Sequence, residues 1–193
     1  MTHLCLALAS ALLLLIAACE SQPPSANPAL TATPSQTARL RLVALTSNNT
    51  LAKDWPDELC GKGVRGRELA LVAGQFPFST SRLPNQRIGI PLSEDVDSKQ
   101  VTEMAIDASA RHHLNLRTIV NYRAIGTTIT SDFCTRHVSF KPIAGETYEL
   151  IFRAKEDAKG AACTAELMRI VERAPGRYAR VPDESLDIDS KPC

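Results

Sequence analysis

The cysteines and histidines of this 193-residue chain are the residues whose types and spacing could support chemistry. Cys134 and His137 have the Cys-x-x-His spacing found in metal sites and around thiol nucleophiles. Residues three positions apart on an extended strand point to opposite faces, and a zinc site needs a second such pair. His112 and His113 are adjacent and diverge in the same way. We therefore predict no metal site, and we interpret both adjacent histidines as surface residues.

The acidic residues offer no clearer constellation. Glu94, Asp95 and Asp97 could provide oxygen ligands for calcium, but their segment lacks the glycine and the distal glutamate of a known calcium loop, so we predict a solvated turn. No pair of carboxylates stands out for acid–base catalysis. The nucleophile-elbow, phosphate-loop and zinc-peptidase motifs are absent from the sequence. We predict no catalytic residue, no metal and no cofactor.

The charge balance argues against one class of partner. The chain has 22 lysines and arginines against 21 aspartates and glutamates, which gives a net charge of +1. This balance lacks the basic excess that nucleic-acid binding requires, so we predict no nucleic-acid partner. One small basic loop at residues 62–67 could contact anionic envelope polymers or lipid headgroups, although a solvated loop is the simpler interpretation.

The N-terminal segment fits a secretory signal. Residues 4–18 are apolar except for Ser10, and this run is too short for a bilayer, which takes about 20 residues to cross. The sequence Ile16-Ala-Ala-Cys19 then resembles the lipobox of bacterial lipoproteins. The resemblance implies cleavage before Cys19, a thioether-linked lipid on its thiol and acylation of the new amino group. An ordinary secretory signal cleaved after Ala18 is the alternative.

The signal divides the chain into three parts. Residues 1–18 form the signal peptide, residues 19–37 the lipidated cysteine with a tether, and residues 38–193 a single domain. Four prolines among residues 20–37, with Ser, Thr and Ala between them, cannot form an apolar face, which predicts a disordered tether. Two or more acyl chains hold a protein stably on a membrane. Glu20 stands where Asp would resemble an inner-membrane retention signal, so we expect the periplasmic face of the outer membrane.

Short apolar runs of period two predict an all-β domain. Leu40 and Leu42 alternate with Arg39 and Arg41, and we expect the leucines to face inward and both arginines outward. Such runs occur at residues 39–42, 68–73, 87–92, 101–110, 114–120, 138–140, 148–152 and 163–171. About eight short strands at this spacing predict an antiparallel β-sandwich or a partly open barrel.

The runs also predict how neighbouring strands connect. We interpret residues 68–73 as a central strand, because they are apolar on both faces. Residues 101–110 fit a strand and a helix equally well; we favour a strand, because residues 114–120 have the same period and could close a hairpin with it. The last three runs, which are joined by turn-forming residues, predict a meander. One short helix is predicted at residues 53–59, because acidic residues there, Asp54 among them, would suit its first turn.

The cysteines that follow Cys19 predict disulfides. Cys60, Cys134, Cys163 and Cys193 form an even set in an exported domain, which allows two bridges with three possible connectivities. We favour Cys134–Cys163 together with Cys60–Cys193, since the second bridge would tie down the chain terminus. In a flat meander, Cys134 and Cys163 would lie two strand spacings, about 9.6 Å, apart. A disulfide needs Cα atoms within about 6.8 Å, so this pairing requires a strand that bends or leaves the sheet.

One further stretch carries a resemblance. The sequence Phe140-Lys-Pro-Ile-Ala-Gly-Glu-Thr-Tyr148 has a cysteine before it and another after it. It is similar to a Phe-x-Pro-x-Ala-Gly-x-x-Tyr turn of small uncharacterised proteobacterial lipoproteins. The resemblance covers a small part of the chain and implies no activity.

The functional prediction therefore depends on architecture. A long tether, a disulfide-stapled β domain and the lack of a catalytic set favour a non-enzymatic envelope lipoprotein. We expect it to be held on the membrane through the lipid on Cys19 and to bind an envelope protein or polymer. A periplasmic hydrolase whose residues converge only in the folded chain is the alternative. A structural lipoprotein that links the membrane to the wall is a third class.

Overall fold

The computed structural model describes residues 36–46, 49–56, 62–63, 65–72, 86–91, 100–125, 128–157 and 160–188. These residues form nine strands and no α-helix. The strands are β1 (Thr37–Leu45), β2 (Thr50–Pro56), β3 (Arg67–Val72), β4 (Val101–Asp107), β5 (His112–Ile125), β6 (Thr128–Phe140), β7 (Thr147–Asp157), β8 (Gly160–Ala174) and β9 (Arg177–Pro182). Within this described part, no helix is long and apolar enough to span a bilayer.

The strands form two sheets that do not close into a barrel, and the predicted β-sandwich is confirmed. The five-stranded sheet has the order β4-β1-β7-β8-β9, and the four-stranded sheet has the order β3-β2-β5-β6. Every described pairing is antiparallel except that of β1 with β7, which is parallel. The four-stranded sheet therefore exposes β3 at one edge, and the prediction of a central strand at residues 68–73 is wrong.

The core lies between the two sheets and follows the alternation of the strands. On β7, Tyr148, Leu150 and Phe152 are buried at every second position, and they meet Leu114 and Leu116 of β5 in the same hydrophobic cluster. Removing a large apolar side chain of this kind from water contributes roughly 1.5–3 kcal/mol. The burial explains why these strands pack face to face.

Two predicted strand connections are wrong, because in each case the two strands lie in different sheets. Strand β4 pairs with β1 in the five-stranded sheet, whereas β5 lies in the other sheet, so these two do not form a hairpin. In the same way β6 lies in the four-stranded sheet and β7 in the five-stranded one, so the meander is limited to β7, β8 and β9. The chain crosses between the sheets after Phe140, and Gly145 takes a φ of +81° in that crossing. A period of two predicts a strand but not the sheet to which it belongs.

The crossing also brings two cysteines together. Cys134 on β6 and Cys163 on β8 form a disulfide between the two sheets, with their Cα atoms 5.9 Å apart. The predicted bridge is confirmed, and the departing strand that it required is the crossing after β6. Cys60 and Cys193 lie outside the described residues, as do residues 1–35 with the signal peptide, Cys19 and most of the tether.

Two local predictions are also corrected. Residues 53–56 belong to β2 and not to a helix, and residues 57–59 lie outside the described part. The acidic residue that favoured a helix start, Asp54, points into the protein and is completely buried. Residues 86–91 are not a strand but an irregular segment, in which Ile90 is buried and Ile88 is exposed.

Candidate functional site

A row of charged side chains, buried at its centre, crosses the outer face of the five-stranded sheet. Arg41 on β1 stands opposite Glu103 of β4 on one side and Glu149 of β7 on the other. Its Nη2 lies 3.0 Å from Oε1 of Glu103, and its Nη1 lies 3.0 Å from Oε2 of Glu149. Arg87 and Arg180 extend the row at its two ends, 3.1 Å from Glu103 and 2.7 Å from Glu149 respectively. The five charges alternate in sign, so each buried carboxylate has a cation on either side.

Arg41 corrects part of the sequence interpretation. It does point away from the apolar core, as predicted, but it is completely buried. It is covered by residues 86–91, which we call the strap, and it donates a hydrogen bond to the carbonyl of Ile90. Arg39, two residues earlier on the same face, is exposed.

Glu103 fixes the strap to the sheet. Its Oε2 accepts hydrogen bonds from the backbone N–H groups of Ile88, Gly89 and Ile90 at 2.8, 3.0 and 3.2 Å. Burial alone would raise the pKa of Glu103, but the N–H groups of Ile88 and Ile90 and the Arg41 guanidinium outweigh it and lower that pKa. The carboxylate therefore stays charged. It serves as the anchor of the strap and is buried beneath it.

A second buried pair links β2 to β5. Nδ1 of His112 lies 3.0 and 2.9 Å from the two carboxylate oxygens of Asp54, and Nε2 lies 2.7 Å from the carbonyl oxygen of Asp107. Both ring nitrogens face acceptors, an arrangement that favours the doubly protonated ring. Burial lowers the pKa of His112, but the hydrogen bond and charge of Asp54 and the Asp107 carbonyl outweigh it, and the net shift is upward. On the edge strand β3, Arg67 is the register partner of Asp54, and its Nη2 lies 3.4 Å from the Asp54 carboxylate.

The sequence prediction of a surface role is therefore wrong for His112, which is only 2% exposed. The side chain of His113 points to the outer face of the same sheet, opposite Trp55 in the register. The predicted divergence of the two histidines is confirmed, although only one of them lies near the surface. Both ring nitrogens of His112 are thus occupied by partners inside the protein.

The Cys-x-x-His spacing also diverges as predicted. Cys134 points into the core and is bonded to Cys163, while His137 points to the outer face of β6 and burial lowers its pKa. Among the described residues, no group of three or more His, Cys, Asp and Glu side chains is close enough to hold a metal. The acidic turn with Glu94, Asp95 and Asp97 lies outside the described part.

In addition to the charge row and the buried His112–Asp54 pair, the protein has a cavity that is open to solvent. The outer face of the four-stranded sheet has a cavity of about 230 Å³, which we call the groove. It is lined by Leu51, Lys53, Trp55, Arg65, Gly66, Asn115 and Arg117. The alternation of β2 explains the set, because Ala52 and Asp54 between these positions face inward. Lys53 and Asn115 are partners in the register of β2 with β5, as are Leu51 and Arg117.

Trp55 forms a fixed wall of the groove. Its side chain is half-buried, and the backbone of Gly66 packs against the indole so closely that a Cβ atom at position 66 would overlap the ring. A glycine is therefore needed where the basic loop at residues 62–67 meets the sheet. The same packing brings Arg65 of that loop to the cavity.

The groove is cationic. Lys53, Arg65 and Arg117 line it, and the guanidinium of Arg117 lies 3.7 Å from the ring centre of Phe133, which is 44% exposed. Neither Lys53 nor Arg65 forms an ion pair with another described residue. The acidic residue nearest in the register is Glu68, opposite Lys53 on β3. Counted over the described residues, three cations against one carboxylate give the groove an excess of positive charge.

Sequence reasoning missed the groove almost entirely. It identified the basic loop but placed the Lys53–Trp55 region in a helix. The useful signal was the alternation of Leu51, Lys53 and Trp55 with Thr50, Ala52 and Asp54. In comparisons with known proteins, no protein-family model, no curated protein and no solved structure matches the chain.

Proposed function

We propose that the chain is a lipoprotein, anchored through Cys19 at the periplasmic face of the outer membrane, whose β-sandwich is a non-enzymatic binding module for an envelope partner. The observation that carries the proposal is the groove. It joins an aromatic wall, an amide and three cations in a cavity open to solvent. Pockets with an apolar surface and a few converging polar groups are the usual places for ligands.

The buried ionisable groups support a binding role over a hydrolytic one. A hydrolase needs a carboxylate or imidazole that can reach its substrate. His112 and Asp54 bond to each other, and Glu103 and Glu149 bond to Arg41, all of them beneath the surface. Within the described part of the chain, these four buried groups therefore serve to stabilise the fold. Among the described residues, in contrast, no acid lines the groove and no residue is placed there as a nucleophile beside a base.

Site-specific photocrosslinking in intact cells tests this proposal. A photoreactive amino acid at Asn115 would sit in the groove, and the same amino acid at exposed Lys155 of β7 serves as the matched control. We expect a discrete crosslinked species from position 115 and none from position 155. Identical products from both positions, or none from position 115 while the protein is folded and membrane-bound, would refute a binding role for the groove.

A further inference from the structure

We propose that the groove binds a sugar unit that carries a carboxylate or phosphate group, and hence that the envelope partner is an acidic glycan. The inference rests on the proposed binding function and adds the chemical class of the ligand. It follows from three properties of the groove: a flat apolar wall, a hydrogen-bonding amide and an excess of positive charge.

The wall of the groove suits a ring. Trp55 is held in place by the backbone of Gly66, and Leu51 continues the apolar surface along β2. An indole presents a broad, electron-rich face to the polarised C–H groups on the flat side of a pyranose ring, and a rigid aromatic side chain loses little conformational entropy when it is covered. A bare inorganic anion would gain nothing from this apolar wall.

Asn115 supplies the polar contact that a sugar needs. It lines the groove from β5, directly opposite Lys53 of the neighbouring strand β2. An amide both donates and accepts hydrogen bonds, so it can satisfy a pair of adjacent hydroxyl groups. The cavity volume of about 230 Å³ is below the range of about 300–1,000 Å³ typical of pockets for drug-sized ligands. The groove is thus of a size to hold one unit of a polymer that continues along the open face.

The cations specify an acidic unit. The fork of an arginine side chain matches the oxygens of a carboxylate or phosphate, and two of the three cations are arginines. The stacking of Arg117 on Phe133 holds that guanidinium beside the groove before any ligand arrives. Glu68, across from Lys53, offsets only part of the charge. A neutral sugar would leave this positive excess uncompensated.

Fluorescence offers a direct test, because Trp55 is the single tryptophan of the chain. The full lipidated chain in detergent is titrated with three oligosaccharides of equal length: an oligogalacturonate, a phosphorylated oligosaccharide and a neutral malto-oligosaccharide. We expect saturable changes of Trp55 emission with one or both acidic probes and not with the neutral one. Response to one acidic probe alone identifies which oxyanion the groove takes. Added salt should weaken the binding.

Variants connect the signal to the groove. Arg117→Gln and Lys53→Gln should each weaken binding of the acidic probe by about tenfold or more, since each removes a charge-assisted contact. Lys141→Gln, an exposed cation after β6 and outside the groove, should leave it unchanged. Unaltered thermal unfolding of Arg117→Gln would show that the loss is one of binding and not of folding.

Several results would overturn the inference. Equal affinity for the neutral sugar would remove the role of charge. No response to either acidic sugar would refute the inference. If vesicles that contain anionic phospholipid gave a response while the sugars gave none, the groove would be assigned to a lipid surface. If these titrations fail while a photocrosslink from Asn115 to a protein persists, the acidic-glycan inference is wrong and the binding function stands. If both fail, both proposals are wrong.

Discussion

Replacing Arg41 with methionine tests how much the row of charges across the five-stranded sheet stabilises the fold. The substitution keeps most of the side-chain volume but leaves Glu103 and Glu149 as buried carboxylates, 1% and 0% exposed, without their shared partner. Breaking a buried ion pair by removing one member typically costs about 3–5 kcal/mol, and the burial means that solvent screening does not reduce this figure. Arg87 and Arg180 remain beside the two carboxylates, so we expect the lower end, about 3 kcal/mol.

Urea unfolding of the full chain under oxidising conditions measures this loss. The m-value of a domain in urea is about 1–3 kcal/mol/M, so the midpoint should fall by about 1 M or more. Arg39→Met is the matched control, because Arg39 lies two residues away on the same strand and is exposed; it should change the free energy of unfolding by less than about 0.5 kcal/mol. Adding Glu149→Gln to Arg41→Met should cost less than the sum of the two single changes, because one unpaired charge is then gone. Equal effects of Arg41→Met and Arg39→Met would refute the assigned role of the row.

Three further predictions follow from the other contacts. The pKa of His112 is raised above its ordinary value of 6.5, so its contribution to stability is complete below about pH 6.5 and lost as the pH rises through the pKa of the folded state. Thermal unfolding across this range should show an alkaline decline that His112→Gln removes and His137→Gln keeps; a decline that survives in His112→Gln would contradict the pair with Asp54. The double change Cys134→Ser and Cys163→Ser should reduce the free energy of unfolding by about 3–4 kcal/mol for a bridge that joins residues 29 positions apart, as measured by urea unfolding. Gly66→Ala should displace the indole of Trp55, because the added methyl would overlap it, and unchanged tryptophan emission would show that the loop does not seat on the ring.

The sequence predicted the strands well where one face is apolar and the other polar. Tyr148, Leu150 and Phe152 mark β7 in this way, and each is buried as expected. The pattern holds no information about which sheet a strand joins, because β4 and β5 share the same period and both bury their apolar side chains. The disulfide between Cys134 and Cys163 was predicted from the even set of cysteines in an exported domain. The strand pattern alone argued against it, because the two cysteines would lie too far apart in a flat meander, and the crossing after Phe140 removes that obstacle.

The candidate sites were much harder to predict, since their residues meet only through long-range register. Asp54 suited a helix start by its local context, yet its partner is His112, 58 positions later. Arg41 is separated from Glu103 by 62 positions and from Glu149 by 108. An arginine that alternates with leucines is normally solvated, and only the strap and two facing carboxylates allow this one to be buried. Local charge rules fail at such positions because the partner lies on another strand.

Oxidative footprinting of Trp55 in intact cells tests the central claim most directly, namely that the groove is occupied by an envelope partner. Hydroxyl radicals modify the indole when it is open to solvent, and mass spectrometry reads the modified fraction. Tyr178, 49% exposed on β9 of the other sheet, provides an internal reference. We predict that Trp55 is oxidised less in cells than in the purified protein relative to Tyr178, and that Arg117→Gln abolishes this protection. Equal oxidation of Trp55 in cells and in the purified protein would contradict the account.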